Sequence, residues 1–301
     1  MNRMWNSIVF PLINELKPKY IVEVGSEKGT NTMSMLEYCE GNNAVLTCIN
    51  PFPLFDVEGL KNKYGDKFDM VEDLSLNVLP HLKDYDLILL DGDHNWYTIY
   101  NELKCIENTF NQDSFPFIIF LDVSWPYARR DLYYNPDNIP SEYIHSYAKK
   151  GMFPGKSELL DKGGLNSNLF NATVENTDKN GVLTGIEDFL NGTDLNLTFK
   201  VLNALHGLGF MYSPNDDYDK LILDIIIKSD IVGIMEDYYL KRMVSLNDQV
   251  NDIKNEKTNL EKKIDYLERE NKKLLQERDI LFSSNSWKIT KPLRWIKNKI
   301  L

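Results

Sequence analysis

Two residue types that build small clasped folds are scarce here: three cysteines, Cys39, Cys48 and Cys105, and four histidines in 301 residues. The cysteines show no metal-like spacing, and an odd, unpatterned set reads as reduced thiols in a cytosolic protein rather than a disulfide framework. Glycine (16) and proline (12) are too few for a collagenous or low-complexity chain. Long apolar runs are missing. Stretches such as Phe117–Leu121 and Leu221–Ile227 are core-sized, against the ~20 residues that span a bilayer. The N-terminus has no apolar segment followed by a small-residue cleavage site, so no signal peptide is expected. A basic excess is also missing: 34 Lys and Arg face 45 Asp and Glu, a net charge of −11. That balance argues against a general nucleic-acid partner, which needs phosphate neutralisation.

What is present is a globular composition, 43% hydrophobic, arranged in three zones. Residues 1–240 alternate short apolar runs (Tyr20–Val24, Val45–Ile49, Asp69–Val71, Leu87–Leu90, Phe117–Leu121) with helical spacing, as in Thr32–Cys39 and Tyr97–Asn108. This alternation predicts an α/β fold, a parallel sheet with helices on both faces. Leu197–Leu202 and Gly209–Tyr212, with a His-Gly turn between them, predict an antiparallel hairpin at one sheet edge. Residues 124–182 are turn-rich and weakly periodic, an insert expected to serve as an acceptor lid. In residues 243–282, Leu246, Ile253, Leu260, Leu267, Leu274 and Leu281 recur at intervals of seven, each preceded by three residues by Met243, Val250, Lys257, Ile264, Asn271 and Arg278. That heptad predicts a coiled coil, and Asn271 and Lys257 at a positions favour a two-stranded homodimer. Residues 283–301 carry five basic side chains, no acidic ones, and two tryptophans.

The strongest local motif is Ile21-Val22-Glu23-Val24-Gly25-Ser26-Glu27-Lys28-Gly29. An apolar strand ends in an acid, and a Gly-x-x-x-Gly turn opens a helix whose first N–H groups are free. A dinucleotide fingerprint would place its second glycine where Glu27 stands, an acid where a pyrophosphate would sit, which disfavours NAD.

With Glu23, Gly25 and Gly29 the chain resembles the class I S-adenosylmethionine-dependent methyltransferases, and the resemblance runs through the first zone. It implies a Rossmann-like sheet and S-adenosylmethionine as cofactor, held around Glu23, Gly25, Ser26 and Gly29. Asn50 stands at the ribose position, Asp73 and Leu74 flank adenine, and Asp91 lies at the end of the fourth strand. The stretch Asp91-Gly92-Asp93-His94 is similar to bacterial methyltransferases acting on sugar hydroxyls of antibiotics and surface glycans, together with their cephalosporin-hydroxylase-like relatives. This implies Asp91 and Asp122 as ligands of a divalent cation such as Mg²⁺ and His94 as general base. The site is also compatible with metal-free catalysis. Where the group often has two adjacent acids after the fifth strand, Asp122 stands between Leu121 and Val123. The chemistry agrees: a sugar hydroxyl must lose its proton as the methyl group transfers, and a neutral imidazole can take it.

Immediately after the fifth strand, Trp125, Tyr127, Arg129 and Arg130 supply ring faces and guanidinium forks suited to a sugar, sugar nucleotide or glycan acceptor. His81, His145 and His206 are assigned no chemistry. The basic, Trp-containing end resembles tails that follow coiled coils in bacterial enzymes of surface-polysaccharide assembly. It suggests contact with an anionic membrane face or an assembly partner, in a cytoplasmic protein peripheral to the inner membrane. Three other readings stay open. A cephalosporin-hydroxylase-like oxygenase would want a two-His, one-carboxylate triad, and none is evident. A dehydrogenase is opposed by Glu27. A non-catalytic scaffold is kept open by Asn50 and by the single acid Asp122.

Overall fold

The computed structural model describes residues 4–110, 115–290 and 292. The chain divides into two compact units, Met1–Met235 and Glu236–Leu301. In the first, a wide helical turn at Trp5–Val9 leads through α1 (Phe10–Leu16), β1 (Tyr20–Val24), α2 (Thr30–Asn42), β2 (Val45–Ile49), α3 (Val57–Tyr64), β3 (Phe68–Val71), α4 (Ser75–Val78), β4 (Leu87–Leu90) and α5 (Trp96–Thr109) to β5 (Phe117–Leu121). The insert then forms β6 (Leu132–Tyr133), β7 (Tyr147–Lys149), β8 (Gly151–Phe153), β9 (Lys156–Leu160) and β10 (Phe170–Ala172). After it come α6 (Val182–Gly192), β11 (Thr198–Leu202), β12 (Leu208–Tyr212) and α7 (Asp216–Lys228).

The main sheet runs β11-β12-β5-β4-β1-β2-β3. β3, β2, β1, β4 and β5 are parallel, while β12 is antiparallel to both β5 and β11. The hairpin expected near residue 205 is there, with β12 rather than β11 joining the parallel block. This is a Rossmann-like arrangement, and β1 is its switch point. The chain leaves β1 for β2 and β3 on one side, then returns to β4 and β5 on the other. The crevice beyond the carboxyl ends of β1 and β4 is where open α/β sheets bind ligands.

Alternating side chains of the apolar strands enter two separate cores, as the two-residue strand period requires. Ile21, Leu46, Leu87, Leu89, Phe117 and Ile119 face one side and meet Leu12 of α1, Met35 and Leu36 of α2, and Ile222 of α7. Val22, Val24, Ile88, Leu90, Ile118 and Phe120 face the other and meet Ile99, Leu103 and Ile106 of α5 and Ile186 and Phe189 of α6. Burial on both faces explains why β4 and β5 read as unbroken apolar runs.

The insert is built, not loose. β6, β10 and β7 form a three-stranded sheet, and β8 pairs with β9. Four buried polar side chains, Arg130, Asp131, Asn171 and Asn180, take the place of a large apolar core. Only small clusters, such as Tyr127, Leu132 and Met152, supplement them.

The helix α8 (Ile231–Ser283) spans the division between the units. The expected boundary at residue 240 therefore falls inside a helix. The compact unit ends earlier, at Met235, because Ile231 and Met235 still pack on the first core. In the second unit, α8 is followed by α9 (Asn285–Ile289), where Trp287 lies 4.8 Å from the ring of Phe282. Lys291, Arg294, Trp295 and Lys297 of the basic tail lie outside the described residues. Among the described residues no helix is long and apolar enough to cross a membrane.

One carboxyl group is buried in the packed face of α5. Glu102 is 1% exposed and its Oε1 has no hydrogen-bond partner. Burial, assisted by the charge of Asp93 and opposed by Ser75 and His94, pushes its pKa up from 4.5 to about 8. The folded chain thus keeps a proton that the unfolded chain loses near 4.5, so Glu102 costs stability progressively as pH rises from 4.5 to about 8. Glu102→Gln is neutral at every pH. The melting temperature of this variant, relative to the parent, is expected to rise between pH 5 and pH 8.5 in thermal scans. A difference that stays constant over that range would show that Glu102 does not titrate in this way.

Candidate active site

The site begins where β1 and β4 end. Gly25 has φ +84°, and a Cβ there would lie 2.1 Å from the carbonyl oxygen of Asp91. Asp91 N–H donates to Val24 O at 2.9 Å and Gly25 N–H to Ile49 O at 3.0 Å. Gly25 is therefore demanded by the close passage of two backbones. A larger residue here would push the strand ends apart, and would not merely occupy the space of a ligand. Gly29, at φ +72°, forms the N-cap of α2, and a Cβ there would press to 2.8 Å on the Phe55 ring.

Glu23 lies under this turn, not in it. It is 1% exposed, accepts from Thr32 Oγ1 at 2.6 Å, and lies 3.1 Å from Cys48 Sγ. Burial raises its pKa to about 7 against the pull of those hydrogen bonds. The expected contact of this side chain with a cofactor is corrected accordingly: the carboxyl group ties α2 to β1 and β2 and fixes the turn from behind. Ser26 is buried and its Oγ accepts from Asn50 Nδ2 at 3.2 Å, so the residues after β1 and β2 are linked. Asp73 is exposed past β3 and accepts from Leu74 N–H (2.7 Å) and Asn77 Nδ2 (2.8 Å), which hold its carboxyl below the usual range. Leu74 is the N-cap residue of α4. Ser26, Asn50, Asp73 and Asp91 thus all follow carboxyl ends of adjacent parallel strands.

At the ends of β4 and β5, Asp91, His94 and Asp122 converge, each offering a ligand atom within 4.8 Å of the others. His94 Nε2 is 3.7 Å from Asp91 Oδ1 and 3.6 Å from Asp122 Oδ2, and neither ring nitrogen has a hydrogen-bond partner. Asp122 holds its place at φ +57°, in the left-handed region that costs a non-glycine residue energy. Burial alone would lower the pKa of His94. The carboxylates of Asp122, Asp91 and Asp93 outweigh it and raise the value to about 9. The ring is flanked by Tyr127 and Tyr134 at centroid distances of 5.6 and 5.9 Å.

The four residues expected to meet an acceptor fare differently. Arg130 is 1% exposed, and its guanidinium is spent on the carbonyl oxygens of Ala172 and Ser157 and on Glu175 at 3.2 Å. It holds the insert together and is shut off from solvent. Arg129 forms a fork with Glu187 of α6, with Nη2 at 2.7 Å from Oε1, and a further bond to Thr184. Tyr127 is buried. Its hydroxyl donates to Asn171 Oδ1 at 3.1 Å and accepts from Asn166 Nδ2 at 2.6 Å, so it backs His94 instead of lining an opening. Trp125 is half-buried against the Tyr127 cluster, and its carbonyl oxygen lies 3.2 Å from His206 Nδ1. The exposed ring beside the site is Tyr134, 55% exposed, one residue past β6. Its signal in the sequence was only its place at the end of the aromatic run Tyr133-Tyr134; the strand pairing of Tyr133 with Phe170 decides which tyrosine turns outward.

Residues 22–118 match a family model described as a methyltransferase domain. No curated protein matches the sequence. Among solved structures, the chain is similar to an S-adenosylhomocysteine-bound methyltransferase of Podospora anserina at 17% identity, covering 68% of this chain and 77% of that one with a TM-score of 0.41. It is also similar to the 1,6-didemethyltoxoflavin-N1-methyltransferase of Burkholderia thailandensis at 13% identity, covering 70% and 77% with a TM-score of 0.40. Such distant likenesses say nothing of what this chain acts on. The stretch that matches the methyltransferase-domain model runs from β1 into β5.

Proposed function

We propose that the protein is an O-methyltransferase that moves a methyl group from S-adenosylmethionine to a hydroxyl of a sugar, sugar nucleotide or surface glycan. The observation that carries this reading is the Asp91–His94–Asp122 cluster at the ends of β4 and β5, beside the Gly25 turn. The turn, Asn50 and Asp73 follow successive strand ends and offer polar groups to a nucleoside, while Glu27 opposes a pyrophosphate. When bound, the cofactor supplies an electrophilic methyl group on sulfur. This chain then has to bind the acceptor, orient its hydroxyl and take up one proton.

His94 Nε2 faces both carboxylates and is the atom that would receive that proton. In the charged pocket around it the imidazolium is favoured, so neutral His94 needs the charge of Asp91 and Asp122 met by something else. The two carboxylates of Asp91 and Asp122, with oxygens close together, fit a divalent cation and leave His94 Nε2 for the proton. Asp91 and Asp122 would hold Mg²⁺, which would also lower the pKa of a coordinated sugar hydroxyl. The exposed ring of Tyr134 offers a face to the acceptor.

Calorimetry is expected to show binding of S-adenosylmethionine or S-adenosylhomocysteine and none of NAD; tight NAD binding without either would overturn the cofactor assignment. In a screen of sugar nucleotides read by S-adenosylhomocysteine release, His94→Ala is expected to lower turnover by roughly 10²–10⁴-fold with cofactor affinity kept. Full activity in that variant would remove His94 as the base. Mn²⁺ titration followed by electron paramagnetic resonance should show a bound ion that Asp91→Asn and Asp122→Asn both weaken. Unchanged Mn²⁺ binding in these variants would place the cation elsewhere.

A further inference from the structure

The seven-residue repeat of α8 has no counterpart in the rest of the structure. The helix runs from Ile231 to Ser283 and none of its residues is buried. Its repeat positions are open to solvent, with Leu260 54%, Leu267 54% and Leu274 60% exposed. An apolar stripe of this length on a highly charged helix is stable only when covered. The repeat also says what shape the cover must have. A strict heptad drifts by about 20° per repeat around a straight helix. A flat protein surface would lose contact with the stripe within a few turns, and only another helix supercoiling with it stays in register.

We infer that the cover is a second copy of α8, aligned parallel and in register, so that the protein is a homodimer through residues 243–281. Three polar residues in the seam choose this occupant and its direction: Lys257, Asn271 and Arg278, all at a positions. In a parallel pair each a residue meets its own copy, so Asn271 faces the partner's Asn271 and the two amides bond across the seam. An a residue also lies beside the partner's g residue of the preceding heptad. The residues before Lys257 and Arg278 are Glu256 and Glu277. Lys257 therefore lies beside the partner's Glu256, and Arg278 beside the partner's Glu277. Lys263 meets the partner's Glu268 as a g–e pair. Within the single helix, Lys257 has only Glu261 at 3.8 Å, an exposed pair that contributes little.

An antiparallel pair over the same span fails at the same three residues. It sets a positions against d positions, placing Asn271 against Ile253, Lys257 against Leu267, and Arg278 against Leu246. Each polar group would then be buried on an aliphatic side chain without a partner. In the parallel arrangement Lys257 and Arg278 each meet their own copy, like charges that the flanking Glu256 and Glu277 offset, and Glu256 lies unfavourably against the partner's Glu261.

The test uses the full chain. Sedimentation velocity at micromolar concentration is expected to give twice 35.0 kDa. Leu246→Cys and Leu281→Cys, made separately and treated with a short bismaleimide, should each yield a covalent dimer on a denaturing gel. The parent should not, since Cys39 and Cys48 are buried and the half-buried Cys105 is replaced by serine (Cys105→Ser) in the parent and in both variants. A double variant, Leu260→Lys with Leu267→Lys, should sediment as a monomer and bind S-adenosylhomocysteine like the parent, which shows that the catalytic unit is folded. A monomeric parent would overturn the proposal, as would a trimer or a dimer that survives the double variant. A dimer in which neither cysteine variant crosslinks would overturn the parallel register.

Discussion

One buried carboxylate ties together the elements that frame the candidate site. Asp131 is fully buried and accepts from Trp96 N–H at the start of α5 (2.8 Å), from Gly181 N–H at the start of α6 (2.6 Å), and from the Tyr133 hydroxyl (2.9 Å). Its own N–H donates to Asn180 Oδ1 at 2.7 Å. Burial raises the pKa of Asp131, and these three donors oppose the rise. Each is a group that would otherwise be buried unsatisfied, so the arrangement is costly to disturb. Two helix starts, the first strand of the insert and the loop before α6 all refer to this one residue. The next residue, Leu132, donates to His94 O at 3.0 Å. The loop bearing Asp91 and His94 is thereby fixed from the insert side as well as from the sheet.

The sheet fixes it from below by a different means. The β1 and β4 ends pass so closely that Gly25 admits no side chain, which sets Asp91 directly beside the turn that opens α2. Glu23, Thr32 and Cys48 secure that turn from within the core. Asp122, one residue past β5, takes a left-handed backbone that points the chain into the insert. The three members of the cluster therefore rest on elements anchored independently: β4 and its loop, and the end of β5. This suits a site whose two carboxylates, Asp91 and Asp122, carry like charges and repel each other.

His94 shows how burial and charge compete. Removing an imidazole from water disfavours its charged form, yet three nearby carboxylates reverse the outcome. Glu102 and Asp93, close behind, experience the same burial without as much compensation, and their pKa values rise. The first unit thus concentrates several ionisable side chains at one edge of an apolar sheet, where solvent screening is weakest.

How much of this could be read from the chain follows from the range of each interaction. The five parallel strands, the late hairpin and the long helix were legible because apolar patterns with periods of two, three to four, and seven are local. Asp91, His94 and Asp122 were singled out by the family resemblance, and all three stand within a few residues of a strand end. The insert was not legible. Arg130 finds its partners on Ala172, Ser157 and Glu175, and Arg129 finds Glu187. Nothing in the local sequence separates a guanidinium that grips a ligand from one that grips the fold. The same holds for Glu23, whose acid at a strand end reads alike whether it faces the crevice or the core. Sequence alone determined which elements form and where the reactive side chains cluster. Only tertiary structure decided which polar groups stay available, because that depends on contacts between residues far apart in the chain, whose geometry no local pattern encodes.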